Sequence, residues 1–467
     1  MNAKKELKNA DFSIRNATAY GIGQFSDTMA IQMFVFFIFT FYYAVVGINV
    51  NLITIGYIIW SLWNSINDPL LGAWSDRTKT KWGRRTPFIY VSFIPLCAIV
   101  VLIWMPPIGS EILSFVYFLV FLLLFDTFYT MFDLNYASLF PEQFQDLTTR
   151  AKANSIKQIF TILGLIVVFI LPTLIIPKLD DKRYFLNWRI AGLVISILIG
   201  IGVLVLIKFG LKEKIEFKED SKNAPSLFKS LRISIKSKSF RTFIVANVGY
   251  WYVIGMLATI VPLYGIYVLN IGEGQSFLLG LLLGVAFISA AFFMILWRYI
   301  STKFGMKNGI IISMIAYIFV LFPFMIVSNV TFAFFAFILV GLGIAGGLFF
   351  GDILLAAVID EDELKTGIRR EGGYYGINAL FTKLSTILVI LTINVVFNSV
   401  GWTYFNPKST TENTILGLRA LMFIFPAIAL GIGILAISRF PINKEKYLQI
   451  KSDVEKLHKE KKEKLNI

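Results

Sequence analysis

Asn64 and Asp68 stand four residues apart in an apolar run, Trp60 to Leu71, that turns strongly cationic by Arg85. On a helix that spacing stacks their side-chain oxygens one turn above the other. Asp126 and Asp133 are seven apart and share a helix face, with Tyr129 between them on the same stripe. Asp27, Lys157, Asp352 and Lys383 are further ionisable residues inside apolar runs. A charge at mid-membrane costs at least a few kcal/mol, so it normally faces a cavity, a partner or an ion. Two oxygen-bearing side chains on one helix face, joined by a carboxylate from another helix, suit a hard monovalent cation or a proton. Asp126 has a structural reading of equal weight. Asp352 lies near a cytoplasmic helix end, where an ion pair explains it as well as ligand contact does.

These residues must be held by membrane-spanning helices. The chain has 467 residues, 57% hydrophobic and 16% charged, with a mean hydropathy of +0.72; soluble domains carry roughly 25% charged residues. It is an integral membrane protein. Apolar runs long enough to cross about 30 Å of hydrocarbon as helix lie near 18–46, 52–75, 87–107, 113–139, 154–176, 190–211, 240–270, 277–299, 308–328, 330–356, 373–398 and 415–439. The polar first 17 residues carry Lys4, Lys5, Lys8 and Arg15, with no cleavage pattern after them, so helix 1 is expected to stay in the mature protein. Cys97 is the only cysteine, which excludes an intrachain disulfide and a cysteine metal cluster. The only histidine, His458, lies in the Lys-rich tail, leaving any intramembrane proton chemistry to carboxylates or lysine.

The formal charge of +15 is distributed by topology. Arg77, Lys79, Lys81, Arg84 and Arg85 follow helix 2, Arg150 and Lys152 follow helix 4, and a run from Lys208 to Arg241 joins helices 6 and 7. The loops "GINVN", "PPIGSE" and "LNIGEGQ" carry no Lys or Arg. This alternation predicts that both termini are cytoplasmic. The loop "PKLDDKRYFLNWR" is the exception, with four basic residues on the outer side. The basic tail reads as a solvated or membrane-surface helix, not as a nucleic-acid site.

The chain reads as duplicated. The expected organisation is a cytoplasmic segment 1–17, a six-helix bundle 18–211, a linker 212–239, a second bundle 240–439 and a tail 440–467. Helix 4 ends in "DLNYASLFPEQFQDLTTR" and helix 10 in "DILLAAVIDEDELKTGIR"; Asp133 to Arg150 and Asp352 to Arg369 are both 17 residues. Such halves enclose a site near the bilayer midplane, and one rocks against the other. Asp76, Arg77, Arg84 and Arg85 read as a cytoplasmic latch that pairs with acids such as Asp360, Glu361 or Asp362; the bland alternative is topology alone.

Together "NDPLLGAWSDRTKTKWGRRTPFI", "MFDLNYASLFPE" and "VIDEDELKTGIRREGGYYG" resemble the glycoside-pentoside-hexuronide:cation symporter family, the melibiose permease group of the major facilitator superfamily. The resemblance spans nearly the whole chain. It implies an all-α polytopic protein with twelve helices in two pseudo-symmetric six-helix bundles, carrying a solute with Na⁺, Li⁺ or H⁺ across the plasma membrane. It further implies a cation site at two helix 2 positions, Asn64 and Asp68, with help from helix 4. Asp133 matches an acid that grips sugar hydroxyls near the cation, Lys383 a helix 11 lysine beside the site, and Arg150, Asp360 and Arg369 the inner charge lock. Asn378, on the same span as Lys383, joins the candidate substrate set.

Departures bear on specificity. Where the family has two acids on helix 2, the first is Asn64 here, which removes a negative charge and tilts the expectation towards H⁺ carried by Asp68. A lysine-aspartate pair on helix 1 becomes Asp27 and Thr28, and an aromatic sugar platform on helix 4 becomes Ala137. A helix 5 sugar-binding arginine falls beside Lys157, with Gln158 as its literal partner. Tyr129, Tyr136 or Trp63 remains as a substitute platform. The expected activity is cation-coupled symport of a sugar or glycoside, with an amphiphile such as a lysolipid, or uncoupled uniport, as alternatives. No cofactor beyond the co-transported H⁺ or Na⁺ is expected, and the chain is expected to be monomeric. An enzyme is disfavoured because there is no HExxH, no GxxxxGK[ST] and no intramembrane nucleophile and base; a receptor is disfavoured for want of a signalling domain.

Overall fold

The structure is a computed structural model that describes residues 13–78, 80–144, 147–211, 234–367 and 371–464, apart from some side chains within those helices. Every long element among them is a helix, as backbone groups in hydrocarbon require, since no water is there to satisfy them. In chain order these are α1 (Ile14–Thr40, continued by a π-helical turn Phe41–Val46), α2 (Val50–Arg77), α3 (Thr86–Leu102), α4 (Glu111–Gln143), α5 (Leu147–Ile175) and α6 (Phe185–Val205, continued by Leu206–Gly210). After these come α7 (Lys238–Tyr267), α8 and α9 within Phe277–Leu321, α10 (Val330–Thr366), α11 (Glu371–Ser399), α12 (Glu412–Met422 and Ile424–Ser438) and α13 (Lys444–Lys464). The break between α8 and α9 is Gly305, at φ 80° and ψ 163°, a region open only to glycine. Counting these as two, α1 to α12 correspond to the twelve expected spans. α10 runs past the expected 356 to Thr366, so Asp360 and Asp362 ride on its last turns.

Side-chain caps set several starts. Ser13 accepts the Asn16 amide at 3.2 Å, Asn49 accepts Asn51 at 2.8 Å and Asn329 accepts Thr331 at 2.7 Å, each satisfying a donor that the first helical turn leaves open.

Two compact units result, one of α1 to α6 with residues 272–281, the other of α7 and the helices beyond residue 282. In the first, α1 is buried on most sides against α5 and α6, and Ser26 donates to the Ile199 carbonyl at 3.1 Å. In the second, α7 has the same central place, packed on α10, α11 and α12. Outer faces are apolar, for example Leu62, Ile66 and Leu70 on α2 and Ile94 on α3, as surfaces turned to lipid must be.

Two basic segments gain partners that the sequence alone does not reveal. The basic loop after α5 is paired with acids. Arg183 bonds Asp181 at 2.7 Å and Glu273 at 3.0 Å, Tyr184 donates to Glu273, and the Gly274 amide and the Ser276 hydroxyl reach the Pro177 carbonyl at 2.9 and 2.8 Å. The Arg183 hydrogen bond holds Asp181 below its ordinary carboxylate range, and the Tyr184 hydroxyl with Arg183 does the same for Glu273. The tail, expected as a solvated or membrane-surface helix, is the helix α13, which leaves most of its described side chains exposed or half-buried and packs one face on α10. Its Ile450 and Val454, one turn apart, are buried. Lys446 bonds Glu361 at 2.8 Å and His458 bonds Glu363 at 3.0 Å, both acids being almost fully buried. Buried carboxylates need partners, and an otherwise charged helix with one apolar stripe supplies them.

Candidate functional site

α2 and α4 meet through polar side chains. Asn64 Nδ2 donates to the Asp126 carboxylate, and Asn67 Nδ2 donates to the same carboxylate at 3.0 Å. One turn further along both helices, the Thr130 hydroxyl donates to Asp68 at 3.1 Å. The two contacts share a sequence offset of 62, so they form successive rungs between helices that run the same way. Trp63 Nε1 bonds Thr127 Oγ1 at 3.0 Å on the flank. Asn64, Asn67 and Asp126 are buried and Asp68 is half-buried. Pro69 follows Asp68 inside α2; having no N–H, it leaves the Ser65 carbonyl without its helical donor beside the rungs.

A second cluster joins α1, α4 and α5. Gln24 Nε2 donates to Asp27 at 2.9 Å and to Thr28 Oγ1 at 3.3 Å. The Tyr129 hydroxyl lies within interaction reach of Asp27, Asp68 and Asp133, and the Lys157 ammonium within reach of Asp27 and Asp133. Lys157 also sits 5.3 Å above the Phe140 ring and 5.9 Å above the Tyr136 ring, a cation–π arrangement. Asp27 is buried, and its Oδ1 has no hydrogen-bond partner. Tyr129 therefore interacts with acids of both the rungs and this cluster.

Of the substitute platforms, Tyr136 is committed. It is fully buried, stacked on Tyr20 at 4.5 Å between ring centroids, and the two hydroxyls bond each other's backbone carbonyls across α1 and α4. Tyr129, half-buried and stacked on Phe125, is the aromatic ring at the cluster.

In the second unit, Asn247 on α7 donates to Asn378 Oδ1 at 2.8 Å and to Thr382 Oγ1 at 3.4 Å. Lys383 follows, half-buried on α11, and Asp352 is exposed on α10. Among the latch residues, Arg77 is exposed, Arg84 is buried and Arg85 starts α3; a Thr80–Gly83 turn links them. Arg150 Nε donates to the Phe144 carbonyl at the end of α4 at 2.9 Å, where helix geometry leaves carbonyls in need of donors. Asp360 is half-buried on α10. Glu361 is engaged within its own unit by Ser239, Lys365 and Lys446. Arg369 and the Asp76 side chain lie outside the described residues.

Four residues at these sites escape a reading of spacing alone, namely Gln24, Asn67, Thr130 and, as a centre of bonding, Asp126. The available signal was local, since Thr130 is four residues after Asp126 and Asn67 three after Asn64.

The profile of the family described as MFS/sugar transport protein matches residues 19–444. An uncharacterised symporter of Synechocystis is 24% identical over 94% of this chain and 96% of its own length. The mouse sodium-dependent lysophosphatidylcholine symporter 1 is also 24% identical, over 98% of this chain and 91% of its own. Among solved structures, a point-mutant nucleoside transporter NupG superposes with a TM-score of 0.67 at 15% identity, covering 91% of this chain and 99% of that one. The fold is thus the major facilitator fold.

Proposed function

Because the chain belongs to the MFS/sugar transport family of the major facilitator superfamily, we propose that it carries a sugar or glycoside together with a monovalent cation by alternating access. The cation binds at Asp68 and Asn64, with Asp133 of α4 beside them. The residues assigned to the solute are Asp27, Thr28, Tyr129, Asp133, Lys157, Asn378 and Lys383. The latch is formed by Arg77, Arg84, Arg85, Arg150 and Asp360, with Asp76 and Arg369. The chain lies in the plasma membrane with both termini cytoplasmic and works as a monomer.

The observation that carries this reading is the shared helix. α4 carries both Thr130, which bonds Asp68, and Asp133, which interacts electrostatically with Lys157, and Tyr129 interacts with both acids. The unpartnered Oδ1 of buried Asp27 fits a solute hydroxyl, because a desolvated acceptor without a donor is costly. Coupling then follows from charge. A carboxylate uncovered in the membrane opposes passage of the half-loaded carrier, and a bound cation removes that penalty. A ligand shifts the two-state equilibrium only by its differential affinity, so cation and solute must both favour the state that moves.

A lysolipid is the second reading. The likeness to the lysophosphatidylcholine symporter favours it. Uptake into proteoliposomes tests both, using glycosides, pentosides, hexuronides and lysolipids with and without an imposed Na⁺ or H⁺ gradient. Gradient-driven accumulation of a sugar is the expected result. Equal equilibration with and without gradients sinks the coupling, and accumulation of lysolipid alone replaces the sugar.

A further inference from the structure

We propose that Asp126 is the second acid of the cation site, supplied by α4 in place of α2, and that the ion it holds with Asp68 is Na⁺. The inference rests on the symport reading and concerns which residues and which ion perform it. The rungs between α2 and α4 are cross-paired. In one, the amide is on α2 (Asn64) and the acid on α4 (Asp126); in the next, the acid is on α2 (Asp68) and the hydroxyl on α4 (Thr130). Each helix contributes one carboxylate, on adjacent turns about 6 Å apart along the axis. The charge that Asn64 lacks is therefore present across the interface.

Asn64 itself points to the ligand. It is 5% exposed, and its Oδ1 is buried without a hydrogen-bond partner. With Nδ2 turned to the Asp126 carboxylate, Oδ1 is the amide atom left without a donor. Asn67, at 3.0 Å from the same carboxylate, positions Asp126 from the other side. What remains unfilled is an acceptor oxygen next to a carboxylate, with a second carboxylate and a hydroxyl one turn away. A proton requires a single acceptor, whereas a hard metal cation gathers several carboxylate, carbonyl and hydroxyl oxygens. The loss of an acid at position 64 alone would argue for H⁺; its replacement by Asp126 reverses that argument.

The test uses the purified full chain in detergent. Thermal unfolding is followed while NaCl replaces choline chloride at constant ionic strength, at pH 6 and pH 8, for wild type, Asp126→Asn and the double exchange Asn64→Asp with Asp126→Asn. Wild type is expected to show saturable stabilisation by Na⁺. In Asp126→Asn the half-saturating Na⁺ concentration is expected to rise about tenfold or more, because ligand charge sets affinity. The double exchange, which returns the acid to α2, should restore it, and it carries the test alone if the single variant does not fold. An Asp126→Asn protein that melts lower in choline yet keeps the wild-type half-saturation makes Asp126 a packing residue and overturns the proposal. So does a wild type that responds to pH and not to Na⁺. A wild type indifferent to both ions rejects the symport reading itself.

Discussion

Helices α4 and α10 hold matching places in the two halves by sequence, yet they do opposite things with them. In the register that aligns Asp133 with Asp352, Asp126 corresponds to Ala345, Tyr129 to Leu348 and Thr130 to Phe349. α4 spends this stretch on hydrogen bonds to α2 and on reach towards Asp27 and Lys157. α10 spends it on close packing. A Cβ at Gly343 would lie 2.0 Å from the Tyr317 ring and one at Gly347 2.3 Å from the Tyr250 ring, while Ala345 is fully buried. Even the shared acid differs, Asp133 being half-buried within reach of Lys157 and Asp352 exposed. A duplicated backbone thus does not duplicate chemistry. On α4 this stretch carries acids bonded to α2, whereas on α10 it is close-packed, and the neighbouring polar contacts of α7 with α11, Asn247 with Asn378 and Thr382, are neutral.

The largest test of this contrast is steric. Gly343→Val should destabilise by about 3 kcal/mol, since overpacking a full interface forces backbone shifts. Leu124→Val, at the corresponding place on α4 and 37% exposed, should change stability by less than about 0.5 kcal/mol. Thermal unfolding of the two proteins side by side would erase the contrast if they fell equally. Next comes transport. Asp68→Asn should abolish uphill accumulation and retain counterflow exchange, whereas Asp352→Asn should leave accumulation intact; loss in both variants would mean that the halves share the coupling.

The smallest effect belongs outside both helices, at the clasp that Arg183 forms with Asp181 and Glu273. Asp181 and Glu273 are held below their ordinary carboxylate range in the folded state. Their contribution is therefore complete above the unfolded value, about 4, and fades as the pH falls through the folded one. The stability difference between wild type and Arg183→Gln should accordingly be small, full at pH 7 and closing in acid. It should shrink at high salt, because the arginine is fully exposed. A difference that instead grows on acidification removes the clasp as its source.

The twelve spans were legible because hydrocarbon thickness fixes helix length and composition. So was the stacking of Asn64 on Asp68, which is internal to one helix. The rung between Asn64 and Asp126 was not, since register between helices depends on loop lengths, tilt and packing that no single segment encodes. Tyr136 illustrates the same limit, its type fitting a sugar platform and its stacking on Tyr20 removing it. The seating of α13 was half visible, as Ile450 and Val454 form a stripe, but the buried Glu361 and Glu363 that receive the helix come from a segment far earlier in the chain.

Gly305, where α8 gives way to α9, carries a mutational consequence. Its backbone is closed to other residues by φ and ψ, and it is closed again by a neighbour, for the Lys444 Cβ lies 2.8 Å from where a side chain would begin. Lys444 in turn bonds the Thr302 and Lys303 carbonyls at 3.1 Å. In a library that varies every position, 305 should tolerate nothing but glycine even when 444 is made small. Changes at 444 should be read out at the junction of α8 and α9, so that two distant stretches of the chain answer to one constraint.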